Sequence, residues 1–262
     1  MGIGDSTVPL FPPVESRVEA EPWLEVAGQQ LRSRLIVGIE HYDSAAVAGQ
    51  VLSAAGADVI IVTTDTDNEQ ASLMLADLEE HLQLSEYVWV GTTSFARSRA
   101  AAIRTAHILR ESLEISVLKL DVRGRNNVPD NEATVEAARE LRSSGMELLP
   151  FIMPDIRIAR ELEDLGCAAL RVVASPVGSG QGIINTQLLH EIIRTVKIPV
   201  IIEGGLGLAA HVAQALELGA AAALVNTAVA HAKDRVGMAT AMRHAAIAGR
   251  LSFESNPRSY TP

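Results

Sequence analysis

Eight short apolar, β-branched runs alternate with eight Ala-rich stretches of helical period, which limits the chain to folds built on a parallel sheet. The strand candidates are residues 35–38, 58–63, 87–91, 116–122, 147–150, 169–173, 199–203 and 222–226; the helix candidates are 44–55, 69–81, 98–112, 132–144, 155–165, 186–196, 208–218 and 235–248. Gly56, Gly145, Gly166, Gly219 and Gly249 stand where glycine commonly ends a helix. Eight such units in 262 residues predict an α/β chain of the (β/α)8 TIM barrel class, with an open doubly wound sheet as the alternative. Aromatic residues are only 3%, so the core must be made of Ala, Val, Leu and Ile, which suits parallel strands under small-faced helices. Residues 1–22, broken by Pro9, Pro12, Pro13 and Pro22, read as a disordered arm. Residues 23–33 read as a hairpin-like cover, the barrel is expected over 23–250, and 251–262 form a C-terminal tail.

A barrel of this kind carries its chemistry at the C-terminal ends of the strands. The fourth run reads Val117-Leu118-Lys119-Leu120-Asp121-Val122. Side chains alternate along a strand, so Leu118, Leu120 and Val122 face the helices while Lys119 and Asp121 face the interior. Desolvation lowers a lysine pKa, and a neutral amine is a nucleophile toward a ketone or aldehyde. Asp121 on the same face could relay protons; a buried ion pair that only braces the barrel is the alternative. The seventh run ends in Glu203-Gly204-Gly205-Leu206-Gly207 and the eighth in Asn226-Thr227. Glycines there let backbone N–H groups approach a ligand, and the loops after strands seven and eight often hold phosphate in this fold. Ser175 to Gly182 reads as a mobile loop able to fold over a ligand, without the Gly-Lys-Ser/Thr ending of a P-loop. His41 follows the first strand at the mouth and is a candidate ligand contact, whereas Cys167 reads as a small buried hydrophobe.

The formal net charge of -10 argues against a nucleic-acid or anionic-membrane partner. One cysteine excludes an internal disulfide and a multi-cysteine metal site, so no metal or cofactor is expected and a reducing cytoplasm is the expected location. No basic-then-apolar leader and no apolar run of about 18 residues is evident.

With these residues in view, the chain from about 30 to 258 resembles the thiazole synthase family. The resemblance is carried by Ser-Pro-Val-Gly-Ser-Gly-Gln-Gly (175–182), Ile-Pro-Val-Ile-Ile-Glu-Gly-Gly-Leu-Gly (198–207), Leu-Val-Asn-Thr-Ala (224–228) and Leu-Lys-Leu-Asp (118–121). It implies that Lys119 forms an imine with a sugar phosphate, that Asp121 and Glu203 are the acid–base carboxylates, and that Gly178, Gly204, Gly205, Asn226 and Thr227 hold the phosphate. It also implies a partner: a small ubiquitin-fold sulfur carrier protein with a C-terminal Gly-Gly thiocarboxylate.

The chain departs from the family at the other half of the mouth. The family has Glu where this chain has Asp121 and Asp where it has Glu203. Its first strand usually ends in Gly-Thr-Gly-Lys-Tyr, where this chain has Gly38-Ile39-Glu40-His41-Tyr42. Its paired arginines after strand two are replaced by Thr63-Thr64-Asp65-Thr66-Asp67, and its Asn-Thr-Ala-Gly loop after strand three by Gly91-Thr92-Thr93-Ser94-Phe95. Basic groups have become acidic or hydroxylic, as a substrate with more hydroxyls would need, with Glu40, His41 and Asp65 as hydrogen-bond partners. The expectation is therefore a 2-thiosugar synthase that inserts sulfur into a hexose phosphate. A thiazole phosphate synthase acting on deoxyxylulose phosphate, and a Schiff-base aldolase, are the alternatives. The Ala- and Leu-rich stretch 208–218 would allow helices to pack between subunits, and a homo-oligomer is expected.

Overall fold

The computed structural model describes residues 21–39, 41–42, 44–63 and 77–256. An antiparallel hairpin, β1 (Leu24–Val26) and β2 (Gln29–Leu31), comes first. Its two-residue turn places Ala27 and Gly28 at φ 50° and 74°, the left-handed pair that a tight hairpin uses. Eight parallel strands follow: β3 (Leu35–Val37), β4 (Val59–Val62), β5 (Val88–Thr92), β6 (Val117–Leu120), β7 (Glu147–Ile152), β8 (Leu170–Val173), β9 (Val200–Glu203) and β10 (Ala222–Val225). They hydrogen-bond in the order β3-β10-β9-β8-β7-β6-β5-β4, so first and last in sequence are neighbours and the sheet curls into a (β/α)8 TIM barrel. The described helices are α1 (Ala45–Ala55), α2 (Arg99–Leu113), α3 (Asn131–Ser143), α4 (Ile156–Asp164), α5 (Thr186–Thr195), α6 (Ala209–Glu217), α7 (Thr227–Ala230) and α8 (Arg235–Ser255). Most of the helix expected at 69–81 and most of the expected arm lie outside the described residues.

Two apolar shells result from the period of two along each strand. Ile36, Ile61, Val90, Val117, Leu149 and Ile201 fill the barrel interior. Leu35, Ile60, Leu118, Leu120 and Ile202 face outward under the helices. The hairpin closes the N-terminal end: Trp23, Leu24, Val26 and Leu31 join the interior shell, and Trp23 Nε1 donates to Ser33 O at 2.8 Å. Asp58 Oδ2, just before β4, accepts from the Arg32 and Ser33 amides and ties the hairpin to the barrel.

Most helix ends follow the sequence. Ser98, Asp130, Asp155, Asn185 and Asp234 cap helix starts by accepting a backbone N–H three residues on. Gly56, Gly145, Gly166 and Gly219 have φ between 59° and 99° at or just beyond helix ends. Gly249 is different, because α8 continues through it to Ser255. Its role is contact: a Cβ there would lie 2.3 Å from Ala213 O on α6. Ala213 of α6 is thus packed inside the chain against α8. Strand β7 also runs past its expected end at Pro150. It pairs with β6 through Pro150 and with β8 from Phe151 onward, so the proline without an N–H sits where the ladder changes partner.

Candidate active site

Lys119, on β6, points into the C-terminal end of the barrel as alternation requires, and only 4% of it is exposed. Its Nζ lies 3.4 Å from Glu203 Oε1, at the end of β9, and 3.6 Å from Asp121 Oδ2. It donates to Ser94 Oγ at 3.1 Å, and that hydroxyl is 2.7 Å from Thr92 Oγ1. The loop after β5 thus supplies the hydroxyl partner of the amine.

Asp121 sits one residue beyond β6 and keeps its direction through Thr93. The Thr93 Oγ1 accepts from the Asp121 amide at 2.8 Å and donates to the Asp121 carbonyl at 2.8 Å, replacing the ladder that has ended. The two carboxylates are bridged by a residue that spacing did not single out. Arg171, wholly buried on β8, donates from Nε to Glu203 Oε2 at 2.6 Å and from Nη1 to Asp121 Oδ2 at 3.0 Å. The same Nη1 reaches Leu149 O at 3.0 Å, and Nη2 is buried with no hydrogen-bond partner among the described residues. Arg123 donates to Asp121 Oδ1 from Nε and Nη2, at 2.9 and 2.6 Å. Both guanidiniums lie over the Phe151 ring, at 5.1 Å for Arg123 and 4.8 Å for Arg171. Burial alone would raise the Asp121 carboxyl, but Arg171, Lys119 and Arg123 outweigh it and hold the group far below the usual carboxylate range. Glu203 is also lowered: burial opposes this, Arg171 and Lys119 prevail, and the neighbouring Asp121 charge pushes back.

Beside this cluster a cavity of about 300 Å³ opens between the loops after β8, β9 and β10. Gly178, Glu203, Gly204, Gly205, Asn226 and Thr227 line it, with His231 at its rim. Two glycine contacts bring the loops together. A Cβ on Gly207 would lie 2.6 Å from Gly180 Cα, and one on Gly205 would lie 1.7 Å from Ser175 Oγ. Gly182 N also donates to Gly205 O at 2.8 Å, so loop 175–182 is pinned to the loop after β9. His41 is exposed at the mouth, its ring 6.2 Å from that of His231. Glu40 and Asp65 lie outside the described residues. Cys167 is buried away from the mouth, and burial pushes its thiol up to about 12, which keeps it un-ionised. Of the arginines after β5, Arg99 pairs with Glu136 and Glu140 on the surface, while Arg97 donates to Asn127 Oδ1, the atom that also accepts from Arg123.

Exposed large apolar side chains gather around this mouth. Phe95, Val128, Met153, Val177, Ile184 and Leu208 all belong to loops that follow barrel strands. No helix among the described residues is long and apolar enough to cross a membrane.

The family model of the thiazole biosynthesis protein ThiG matches residues 25–261. The thiazole synthase of Exiguobacterium sibiricum is 39% identical over 234 residues, covering 88% of this chain and 91% of that protein. That of Aquifex aeolicus is 37% identical over 239 residues, covering 89% and 88%. Among solved structures, a chain of the Amycolatopsis orientalis BexX/CysO complex is 58% identical, with a TM-score of 0.88 over 92% of this chain and 99% of that one. Thiamine phosphate pyrophosphorylase from Pyrococcus furiosus, at 16% identity and a TM-score of 0.55 over 81% of this chain and 93% of that one, shares the fold alone.

Proposed function

The chain belongs to the thiazole synthase (ThiG) family, and from that premise we propose that it is a sulfur-inserting synthase working through a Lys119 imine with a keto-sugar phosphate. The observation that carries this reading is the Lys119 amine, buried at the barrel mouth within 3.6 Å of two carboxylates and beside a glycine-lined cavity. The imine formed when a lysine amine condenses with a ketone is a cation when protonated, and the carboxylates of Glu203 and Asp121, 3.4 and 3.6 Å from the Lys119 nitrogen, stand where they stabilise it. The cavity suits the phosphate. Gly178, Gly204 and Gly205 have left-handed φ of 79°, 87° and 69° and present bare backbone, and Asn226 and Thr227 add polar side chains. The acidic net charge is no obstacle, since backbone N–H groups hold the anion.

The sulfur donor in this reading is a ubiquitin-fold carrier protein ending in a Gly-Gly thiocarboxylate. Its support is twofold. A 58%-identical relative was crystallised as a complex with a second protein, CysO. Six exposed apolar side chains ring the mouth through which a carrier tail would enter, as a docking surface requires. We assign the substrate as a ketohexose phosphate and the product as a 2-thiosugar phosphate, formed in the cytoplasm. The loop after β5 supports this, since it gives Lys119 a hydroxyl partner in Ser94, backed by Thr92. A second reading, thiazole phosphate formation from deoxyxylulose phosphate, is favoured by the two thiazole synthases at 39% and 37% identity.

The test is turnover with a thiocarboxylated carrier and, in parallel, a ketohexose phosphate or deoxyxylulose phosphate, with sulfur incorporation read by mass. Carrier-dependent sulfur in the hexose product is the expected result. Sulfur entering only the deoxyxylulose reaction would select the second reading, and carbon–carbon cleavage without any carrier would make the protein an aldolase.

A further inference from the structure

The two carboxylates beside Lys119 are held unequally. Asp121 has both oxygens engaged by guanidinium, Oδ1 by Arg123 and Oδ2 by Arg171. Glu203 gives Arg171 only Oε2; its Oε1 faces the Lys119 amine at 3.4 Å and accepts no hydrogen bond from any described residue. Glu203 also lines the cavity, whereas Asp121 is wholly buried behind it. Arg123 is fixed in turn by Asn127, whose φ of 61° turns the loop after β6 back toward the strand.

We propose that Arg123 and Arg171 divide the labour of the pair: Asp121 is a permanent anion, and Glu203 alone takes the carbon-bound proton, through Oε1. This assignment rests on the Lys119 imine. In the protonated imine, Glu203 Oε1 takes a proton from the carbon beside the imine carbon. The C–H electron pair becomes the C=C bond of an enamine, and the C=N π pair returns to the lysine nitrogen. No oxidant or reductant is needed. Asp121 could do the same only by surrendering a guanidinium contact in a wholly buried site, where nothing described replaces it. Arg171 and Arg123 are therefore positioning residues, and Glu203 is the catalytic base.

The groups facing Glu203 are Arg171 from β8 and, from β6 and the residue beyond it, Lys119 and Asp121; His231 stands exposed across the cavity. Arg171 holds the Glu203 carboxyl down, so its removal raises that carboxyl and moves the acid limb of the rate profile to higher pH. Arg123 touches Asp121 and not Glu203.

The experiment is deuterium wash-in from solvent at the carbon beside the carbonyl of fructose 6-phosphate, across pH, alongside borohydride trapping of the imine, on the full chain. Glu203→Gln should keep a trappable adduct and lose exchange by about 100-fold or more. Arg123→Met should leave the acid limb where the wild type has it, and Arg171→Met should move it upward. If Arg171→Met fails to fold by circular dichroism, Arg171→Lys should show the same upward shift in smaller measure. A limb that moves in Arg123→Met and not in the Arg171 variants, or unchanged exchange in Glu203→Gln, overturns the assignment alone. A wild-type chain that traps no sugar phosphate at all overturns the imine reading and the assignment with it.

Discussion

Replacing Arg171 by methionine keeps an unbranched apolar stem and deletes the guanidinium that bridges Asp121 and Glu203. Three hydrogen bonds disappear, two of them to carboxylates. At about 1.5–3 kcal/mol for each charged bond and about 1 for the bond to Leu149 O, the gross loss is about 4–7 kcal/mol. Two gains offset it. The unpartnered Nη2 is removed from the interior, worth about 1–3 kcal/mol, and the methionine stem can pack on Phe151. The net loss expected is about 3 kcal/mol, which for a chain of this size lowers Tm by about 6–12 °C. The assay is calorimetry at pH 7 beside Arg157→Met, which loses only surface ion pairs with Glu132 and Glu161 and should melt with the wild type. The gap should also depend on pH. Asp121 and Glu203 are both lowered in the folded wild type, so their contribution is present above the unfolded values of about 4 and is lost as pH falls through them toward the folded ones. The variant has less of this contribution to lose, so the two proteins should converge as pH falls below about 4. A Tm within about 2 °C of the wild type, or a gap indifferent to acid, would refute the idea that Arg171 holds the carboxylates.

Other substitutions probe other parts of the account. Gly249→Leu should destabilise the chain by about 1–3 kcal/mol in urea melts, because even its Cβ would strike Ala213 O and force α6 and α8 apart. Trp23→Ala should cost about 3–5 kcal/mol by the same measurement, since it opens the N-terminal plug and abandons the bond to Ser33 O. Gly205→Ala should weaken sugar-phosphate binding about tenfold or more in calorimetric titration, as its Cβ would collide with Ser175 Oγ at a φ of 69°. Ile184→Asp, on the most exposed apolar side chain of the mouth, should raise the KM for the carrier by about tenfold in the sulfur-transfer assay.

The barrel was legible because both its periods are written in the chain. The runs that became β3 to β10 alternate inward and outward residues, and four of the five glycines read as helix stops adopt the left-handed conformation that a stop uses. Gly249 misled because a glycine near a helix end satisfies either of two needs, a turn or a close contact, and sequence alone does not separate them. At the site, the alternation that turned Lys119 and Asp121 inward also governs Ala169-Leu170-Arg171-Val172-Val173, where it puts Arg171 inside the barrel. That signal was available, and the apolar neighbours of Arg171 concealed it. Ser94 carried no such signal, because it belongs to a loop whose path is set by the Thr93 contacts to Asp121. The unequal grip on the two carboxylates was likewise unreadable, since it depends on which oxygens Arg171 reaches across 32 and 50 residues of sequence.

The imine at Lys119 can be trapped and weighed. The full chain is incubated with fructose 6-phosphate, and separately with deoxyxylulose phosphate, reduced with borohydride, and read by intact mass and peptide mapping. A hexose-phosphate adduct on the peptide carrying Lys119, absent from Lys119→Ala, is the expected result. No adduct at Lys119 with either sugar, under conditions where sulfur transfer proceeds, would contradict it.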